Sequence, residues 1–145
     1  MIKVTYPSFP FKIKQENNKD IIFDGIRKKW LVLTPEEWVR QNFIQYLIQE
    51  KKYPSSLIAI EKTIQLNDLK KRCDIIVYKN EQPWMIVECK EMGVMLSEKT
   101  IQQILQYNIA LPSSYLIITN GKSCFGWKIK PALSMLSSIP EYAHE

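Results

Sequence analysis

The chain has 145 residues, 46% of them apolar, which is enough for one compact domain with its own hydrophobic core. Its three cysteines are odd in number and far apart, so the sequence predicts neither a disulfide framework nor a zinc site, and a reducing, cytoplasmic location is expected. The 20 Lys and Arg residues against 15 Asp and Glu give a net charge of +5, which suits a polyanionic partner and equally serves solubility alone.

The single histidine and the few glycines argue against several classes of enzyme. His144 is next to last, where chains commonly fray, which argues against catalytic triads, HNH-type nucleases and histidine-based zinc hydrolases. None of the four glycines falls in a phosphate-binding pattern, and no segment approaches the roughly 18 apolar residues that span a membrane. Carboxylate and lysine chemistry, with or without a hard metal ion, remains.

Residues 1–33 are predicted to form an N-terminal β extension packed on the core. Segments 11–15 and 21–23 flank a turn-like linker, and a further short strand is expected at 30–33. The pattern then changes to that of a helix, so we place the start of the main fold at residue 34.

Thr34-Pro35-Glu36-Glu37 is a strong helix start, with Thr34 as N-cap, proline at the first helical position and Glu37 completing a capping box. The helix is expected to run to about residue 51. Val39, Phe43 and Leu47 share one stripe of it, and Glu36 falls within that stripe while Glu37 lies to one side. We therefore expect Glu36 to point inward, towards a sheet.

Three strands are predicted next, at residues 57–66, 69–78 and 84–90. Asn67-Asp68 suits a tight two-residue turn, which would set Glu61 opposite Asp74. A second turn, taken as a three-residue loop over 80–82, would set Asp74 opposite Glu88. A helix at 97–111, a strand at 115–119, an Asn-Gly turn, a strand at 123–129 and a tail over 132–145 complete the chain.

The alternation of side chains along these strands separates two faces. One face is apolar throughout, and the other is apolar at one end and charged at the opposite end. The order of helix, three strands, helix and strand, with residues 34–131 as the core, predicts an α/β fold with a mixed central sheet flanked by helices. The apolar face carries Ile58, Ile60, Ile75, Val77, Met85, Val87 and Cys89; the other carries Leu57, Ala59, Ile76, Tyr78, Trp84 and Ile86, then Glu61, Asp74, Glu88 and Lys90.

Asp74 and Glu88 form the core of the predicted site. Opposed carboxylates repel each other, so a stable fold tolerates them only with a cation or a shared proton. Two carboxylates with the main-chain carbonyl of Cys89 suit Mg²⁺ or Mn²⁺. Lys90, on the same face, would then orient or deprotonate a water molecule.

At these residues the sequence resembles the PD-(D/E)XK nuclease superfamily, with Asp74 as the first acid and Glu88-Cys89-Lys90 as the ExK element. Gln103 and Tyr107 form a QxxxY pair one helical turn apart, as in the RecB-like branch of that superfamily. Glu36 resembles the outer acid of an ExxVR helix start. The resemblance implies a restriction-endonuclease-like core and assigns catalytic roles to these residues.

The nearest likeness is to the N-terminal nuclease domain of the type I restriction enzyme motor (R) subunit, in a short stand-alone form, over roughly residues 20–130. It implies a Mg²⁺-dependent endodeoxyribonuclease that acts on DNA, with helicase or translocase subunits of a restriction system as partners. Cys73 stands where the superfamily name has proline, a commonly relaxed position. No helicase motif follows in the sequence, which puts ATP-driven restriction by this chain alone in doubt.

The sequence leaves two matters open. Nuclease folds also serve as inert modules for nucleic-acid binding or complex assembly, which is the alternative to an active nuclease. Glu61 is either a further site carboxylate or a partner for Lys71 or Arg72. The basic residues predicted to contact phosphates are Arg27, Lys28, Lys29, Arg40, Lys70, Lys71 and Arg72.

Overall fold

The structure, a computed structural model, describes residues 1–143, and His144 lies outside the described residues. In the described residues nine strands form two sheets, and two α-helices pack with them. The first sheet has three antiparallel strands, and the second has six strands in sequence order. The elements are β1 (Ile13–Glu16), β2 (Lys19–Asp24), β3 (Lys29–Val32), α1 (Pro35–Gln45), β4 (Ile58–Leu66), β5 (Leu69–Lys79), β6 (Gln82–Cys89), α2 (Glu98–Asn108), β7 (Tyr115–Thr119), β8 (Cys124–Lys128) and β9 (Ser134–Met135).

The six-stranded sheet is mixed, because β6 and β7 run parallel while the other neighbours are antiparallel. The chain between β6 and β7 contains α2, as a parallel connection requires. The predicted α/β fold is confirmed, and its mixed sheet is compatible with a restriction-endonuclease-like core. No helix among residues 1–143 is long and apolar enough to cross a membrane.

The two helices begin at the predicted residues. The Thr34 side chain accepts a hydrogen bond from the Glu37 N–H, and Ser97 caps α2 in the same way through the N–H of Thr100. After Gln45 the first helix continues as one π-helical turn, Tyr46–Glu50, close to the predicted end at 51. The second helix ends at Asn108, before the predicted 111.

Two hydrophobic clusters lie on opposite faces of the six-stranded sheet. The first joins the apolar stripe of α1 to one face, and the second joins α2 to the other face. All seven residues predicted for the apolar face belong to the first cluster, so that prediction is confirmed. Trp84, predicted for the opposite face, instead packs in the first cluster against Tyr115 and Tyr142, beside a bulge between Val77 and Tyr78.

The predicted registers hold over most of the meander. Ile60 pairs with Ile75 across the first hairpin, and Ile75 pairs with Val87 across the second. The second turn is shorter than predicted, because only Asn80 and Glu81, both with positive φ, connect the strands. The bulge between Val77 and Tyr78 absorbs the difference of one residue.

The hairpin of β4 and β5 changes faces at Glu61 and Asp74. Ile60 and Ile75 pack on the α1 side, whereas Cys73 and Ile64 belong to the α2 cluster. Regular alternation would keep Cys73 and Ile75 on one side. Glu61 has a φ of 51°, and Glu61 and Asp74 do not pair across the ladder, so the two strands turn over together at this point.

Both ends of the described chain contact the large sheet. The Ile2 N–H donates to the Cys124 carbonyl, and the Ile2 side chain is buried in the first cluster. Towards the other end, β9 adds the last strand, Ile139 is buried, and the Tyr53 hydroxyl donates to the carbonyl of Pro140. These contacts leave α1, β5 and β6 as the elements around the charged end of the sheet.

Candidate active site

The candidate site lies where β5 and β6 separate. Their pairing ends at Ile75 and Val87, so Asp74 is not paired across the ladder with Glu88 as predicted. The Asp74 carboxylate instead accepts the Cys89 N–H at Oδ2, at 2.8 Å, and the Arg40 guanidinium at Oδ1, at 2.9 Å. A side chain from β5 thus replaces a backbone acceptor next to the ExK element.

Glu88 is buried on the α2 side of the same separation. Its Oε1 is shielded from solvent and lies 2.8 Å from Lys71 Nζ, as an ion pair without a well-directed hydrogen bond. Burial raises the pKa of Glu88, and the nearby charge of Asp74 raises it further, while Lys71 and Lys90 oppose the shift. The charge of Asp74 thus disfavours ionised Glu88, and the two lysines act in the opposite direction.

Glu36 lies at the rim of the site. Its side chain is 48% exposed and accepts a hydrogen bond from Arg40 at 3.2 Å, whereas the side chain of Glu37 is 7% exposed. The prediction that Glu36 points inward is therefore wrong, because Glu37 is the buried acid and contacts both Arg27 and Arg40, while Glu36 contacts Arg40 from the rim. Burial and the charge of Asp74 raise the pKa of Glu36, against the effects of Arg40 and Lys90.

Lys90 follows β6 directly. Its N–H donates to the Thr119 carbonyl at 2.8 Å, which ties the end of the ExK element to β7. Within residues 1–143 no carboxylate lies within ion-pair distance of its ammonium group. Lys90 nevertheless lies close enough to influence both Glu36 and Glu88 electrostatically.

A buried ion-pair network supports the site from behind. Arg27 contacts Asp24, Glu37 and Glu61 at 2.7, 3.1 and 3.0 Å. Arg40 contacts Glu37 and Glu61 at 2.7 and 3.0 Å, in addition to Asp74 and Glu36. With exposures of 15% and 8%, these two arginines lie inside the network and not on the open surface where DNA was predicted to contact them.

Glu61 belongs to this network, which resolves its open role in favour of a basic partner. Its carboxylate contacts Arg27, Arg40 and Arg72. Although burial opposes the shift, hydrogen bonding and the positive charges of these arginines lower the pKa of Glu61. Lys71, the other partner considered from the sequence, pairs with Glu88.

The remaining predicted residues are distributed around the site. Gln103 and Tyr107 are exposed on α2, and the Tyr107 ring centroid lies 4.6 Å from Lys71 Nζ. Lys28, Lys29, Lys70 and Arg72 are exposed and so accessible to a polyanion.

Sequence reasoning missed Asp24, Glu37 and Gln41 as members of the buried network. The spacing of Asp24 and Arg27 across a turn was the available signal, since the Asp24 carboxylate accepts both the backbone N–H and the side chain of Arg27. Gln41, one helical turn after Glu37, donates to both Asp24 and Glu37.

The donors at the site suit a hard divalent cation. Asp74 accepts the Cys89 N–H where the strands separate, Glu88 directly precedes Cys89 in β6, and Glu88 Oε1 is a buried oxygen without a directed hydrogen bond. Oxygen donors of this kind are those that Mg²⁺ and Mn²⁺ prefer. Residues 1–143 contain no group of three His, Cys, Asp or Glu side chains that could hold a metal ion. The candidate ligands are therefore two carboxylates and a main-chain oxygen.

A comparison with known protein families gives a match. The family model described as type I restriction enzyme R protein N terminus matches residues 35–141. This span contains both helices, the six-stranded sheet and the carboxylates at the strand separation. No curated protein and no solved structure matches significantly.

Proposed function

Since the chain belongs to the type I restriction enzyme R protein N-terminus family, a restriction-type nuclease domain, we propose that it is a divalent-metal-dependent nuclease that cleaves DNA phosphodiester bonds. The observation that carries this proposal is the separation of β5 and β6, where Asp74 accepts the N–H of Cys89, the residue that follows Glu88. Lys90 extends from the same point without an ion-pair partner within the described chain.

Asp74 and Glu88, with the Cys89 carbonyl, would hold Mg²⁺ or Mn²⁺. When bound, the ion would polarise the scissile phosphate and stabilise the charge that develops in the transition state. Lys90 positions the attacking water. Its ammonium group is suited to this role because no carboxylate of the described chain pairs with it. Glu36 acts at the rim through water, and Gln103 with Tyr107 contacts the phosphate backbone from α2.

Membership in a family of restriction enzyme R protein N-terminal domains implies that the chain works in a restriction system, which acts on DNA. We propose that helicase or translocase subunits are the partners that deliver DNA to the site. The exposed residues Lys28, Lys29, Lys70 and Arg72 offer phosphate contacts for this purpose.

One observation favours a second candidate, an inert module for nucleic-acid binding or assembly. Arg40 already pairs with Asp74, and Lys71 with Glu88, so each carboxylate has a protein cation without a metal ion. A module of this kind should bind no Mn²⁺ at millimolar concentrations, whereas the nuclease should.

The test is cleavage of plasmid and linear DNA with Mg²⁺ or Mn²⁺. Asp74→Ala, Glu88→Ala and Lys90→Ala should each lower the rate by about a hundredfold or more, because each removes charge stabilisation from the reacting phosphate. Gln103→Ala and Tyr107→Ala should lower it by less. Glu91→Ala, a change of an exposed acid next to Lys90, is the matched control and should cleave like the parent.

Full activity in folded Asp74→Ala or Glu88→Ala would exclude the metal site proposed for the nuclease. Absence of both cleavage and Mn²⁺ binding in the parent chain would favour the inert module.

A further inference from the structure

Lys71 lies at a point where three elements meet. Because the hairpin turns over at Asp74, Lys71 on β5 faces the α2 side, opposite to the face that uninterrupted alternation would give it. Its Nζ lies 2.8 Å from Glu88 Oε1 on β6 and 4.6 Å from the ring centroid of Tyr107 on α2. The Lys71 side chain is only 12% exposed, so its ion pair with Glu88 is largely buried and is not a chance contact at the surface.

The ion pair uses an oxygen that the proposed nuclease needs for its metal. Lys71 is the one cation within ion-pair distance of Glu88 in the described part of the chain. A divalent ion at Glu88 would stand beside the ammonium group, and like charges repel strongly in a partly buried site. Lys71 and the metal therefore compete for Glu88.

Lys71 is better able to move than Arg40, the cation on the other carboxylate. Arg40 also contacts Glu36, Glu37 and Glu61, which hold it whether or not Asp74 is available. Lys71 contacts one carboxylate and the face of an aromatic ring that is 60% exposed. Its flexible stem can thus carry the ammonium group outward along that ring.

We propose that Lys71 is a positioning residue that holds Glu88 until a divalent ion binds, releases it to the ion, and then contacts a phosphate of the bound DNA strand. The inference rests on the proposed nuclease function. Tyr107, along whose ring the released ammonium group would move, is the α2 residue proposed above to contact the phosphate backbone. Metal binding then strengthens DNA binding, because it frees Lys71 to contact a phosphate. DNA strengthens metal binding by the same factor, because coupling between two ligands is reciprocal.

The first test is Mn²⁺ affinity, measured by titration calorimetry on the full chain. Lys71→Met should tighten Mn²⁺ binding about tenfold, because it removes the competing cation. Lys71→Arg should weaken it about fivefold, because a guanidinium can hold a carboxylate with two donors. Lys99→Met removes the same charge from an exposed position on α2 and should bind Mn²⁺ like the parent.

An unchanged or weaker affinity in folded Lys71→Met would overturn the inference while the nuclease proposal stands. No Mn²⁺ binding by the parent chain would overturn both. If thermal melting shows that Lys71→Met does not fold, Lys71→Arg decides: weaker binding supports the competition, and equal or tighter binding overturns it.

The second test addresses the phosphate contact. In a Lys90→Met background, in which cleavage is suppressed, the affinity for a DNA duplex is measured in EDTA and in Mn²⁺. Metal should improve DNA binding about fivefold more with Lys71 present than with Lys71→Met added. Equal improvement in the two proteins would overturn this step.

Discussion

Arg40 is the residue that connects the buried ion pairs to the candidate active site. One nitrogen of its guanidinium contacts Glu37 and Glu61, and another contacts Glu36 and Asp74. Removing the guanidinium from such a network would leave buried carboxylates without this cation, which costs more than an ion pair contributes when intact. The network therefore fixes the position of Asp74 relative to the Cys89 N–H.

Asp24 offers a clean test of this network, since it does not touch the site. Its buried carboxylate accepts the N–H groups of Ile26 and Arg27 and the side chains of Arg27 and Gln41. Burial alone would raise the pKa of Asp24, but these hydrogen bonds and the charge of Arg27 outweigh it and hold the pKa below its ordinary value.

We predict that Asp24→Asn lowers the free energy of unfolding by about 3 kcal/mol at neutral pH, because it replaces a buried charged acceptor, both of whose oxygens accept hydrogen bonds, by an amide whose NH2 group faces donors. For an acid with a lowered pKa, the contribution to stability is present above the unfolded value, near 4, and is lost as the pH falls through the folded pKa. The difference between parent and variant should accordingly shrink in acid.

Urea unfolding at pH 7 and at pH 3 measures this difference. Asp20→Asn, an exposed acid on the same strand, should differ from the parent by no more than about 0.5 kcal/mol. Equal stability of Asp24→Asn and the parent at pH 7 would show that the network contributes nothing to folding.

At the scale of elements, local signals in the sequence were sufficient for the helix starts and most of the register. Thr34 and Ser97 cap their helices through their own side chains, which requires no knowledge of distant contacts. Asn67-Asp68 fixed the first hairpin for the same reason. These features lie within a few residues of the chain.

The turning over of the hairpin at Glu61 and Asp74 could not be predicted in this way. Neither residue is glycine or proline, and strict alternation would place Cys73 on the side of Ile75, whereas Cys73 belongs to the α2 cluster. The turn depends on Arg40 and Arg27 from other elements, which draw both carboxylates towards α1. The sequence identified the acids, but their partners arise only from tertiary packing.

The second turn provides a prediction at this scale. Asn80 and Glu81 have φ values of 51° and 64°, the conformation that favours Asn-Gly in two-residue hairpins. Glu81→Gly should raise the free energy of unfolding by about 0.5–1 kcal/mol, since a left-handed residue with a side chain is strained. Denaturant unfolding measures the change.

Gln82→Gly, one residue later in β6, is the control and should destabilise the protein, because glycine weakens a strand. If Glu81→Gly were also destabilising, the strain assigned to this turn would be wrong.

For the whole molecule, the net charge of +5 is distributed unevenly between buried and exposed groups. Arg27 and Arg40 form ion pairs within the buried network, and Lys71 pairs with Glu88. Three of the seven basic residues predicted to contact DNA are therefore mostly shielded from solvent. The four that remain exposed are Lys28, Lys29, Lys70 and Arg72. Binding to DNA in the absence of metal should depend on these four.

We predict that DNA binding in EDTA weakens steeply with salt and discriminates little between sequences, because lysines on turns and strands contact phosphates and not base edges. Lys29→Gln and Lys70→Gln should each reduce the slope of log affinity against log salt concentration by about 0.9, the loss of one phosphate contact. Lys3→Gln removes the same charge from an exposed position outside this set and should leave the slope unchanged. Fluorescence anisotropy over a salt series gives each slope directly.

A tight complex that is insensitive to salt would mean that contacts to base edges or apolar contacts account for the binding. An equal loss of slope in Lys3→Gln would mean that DNA responds to the net charge of the protein and not to a particular surface of it.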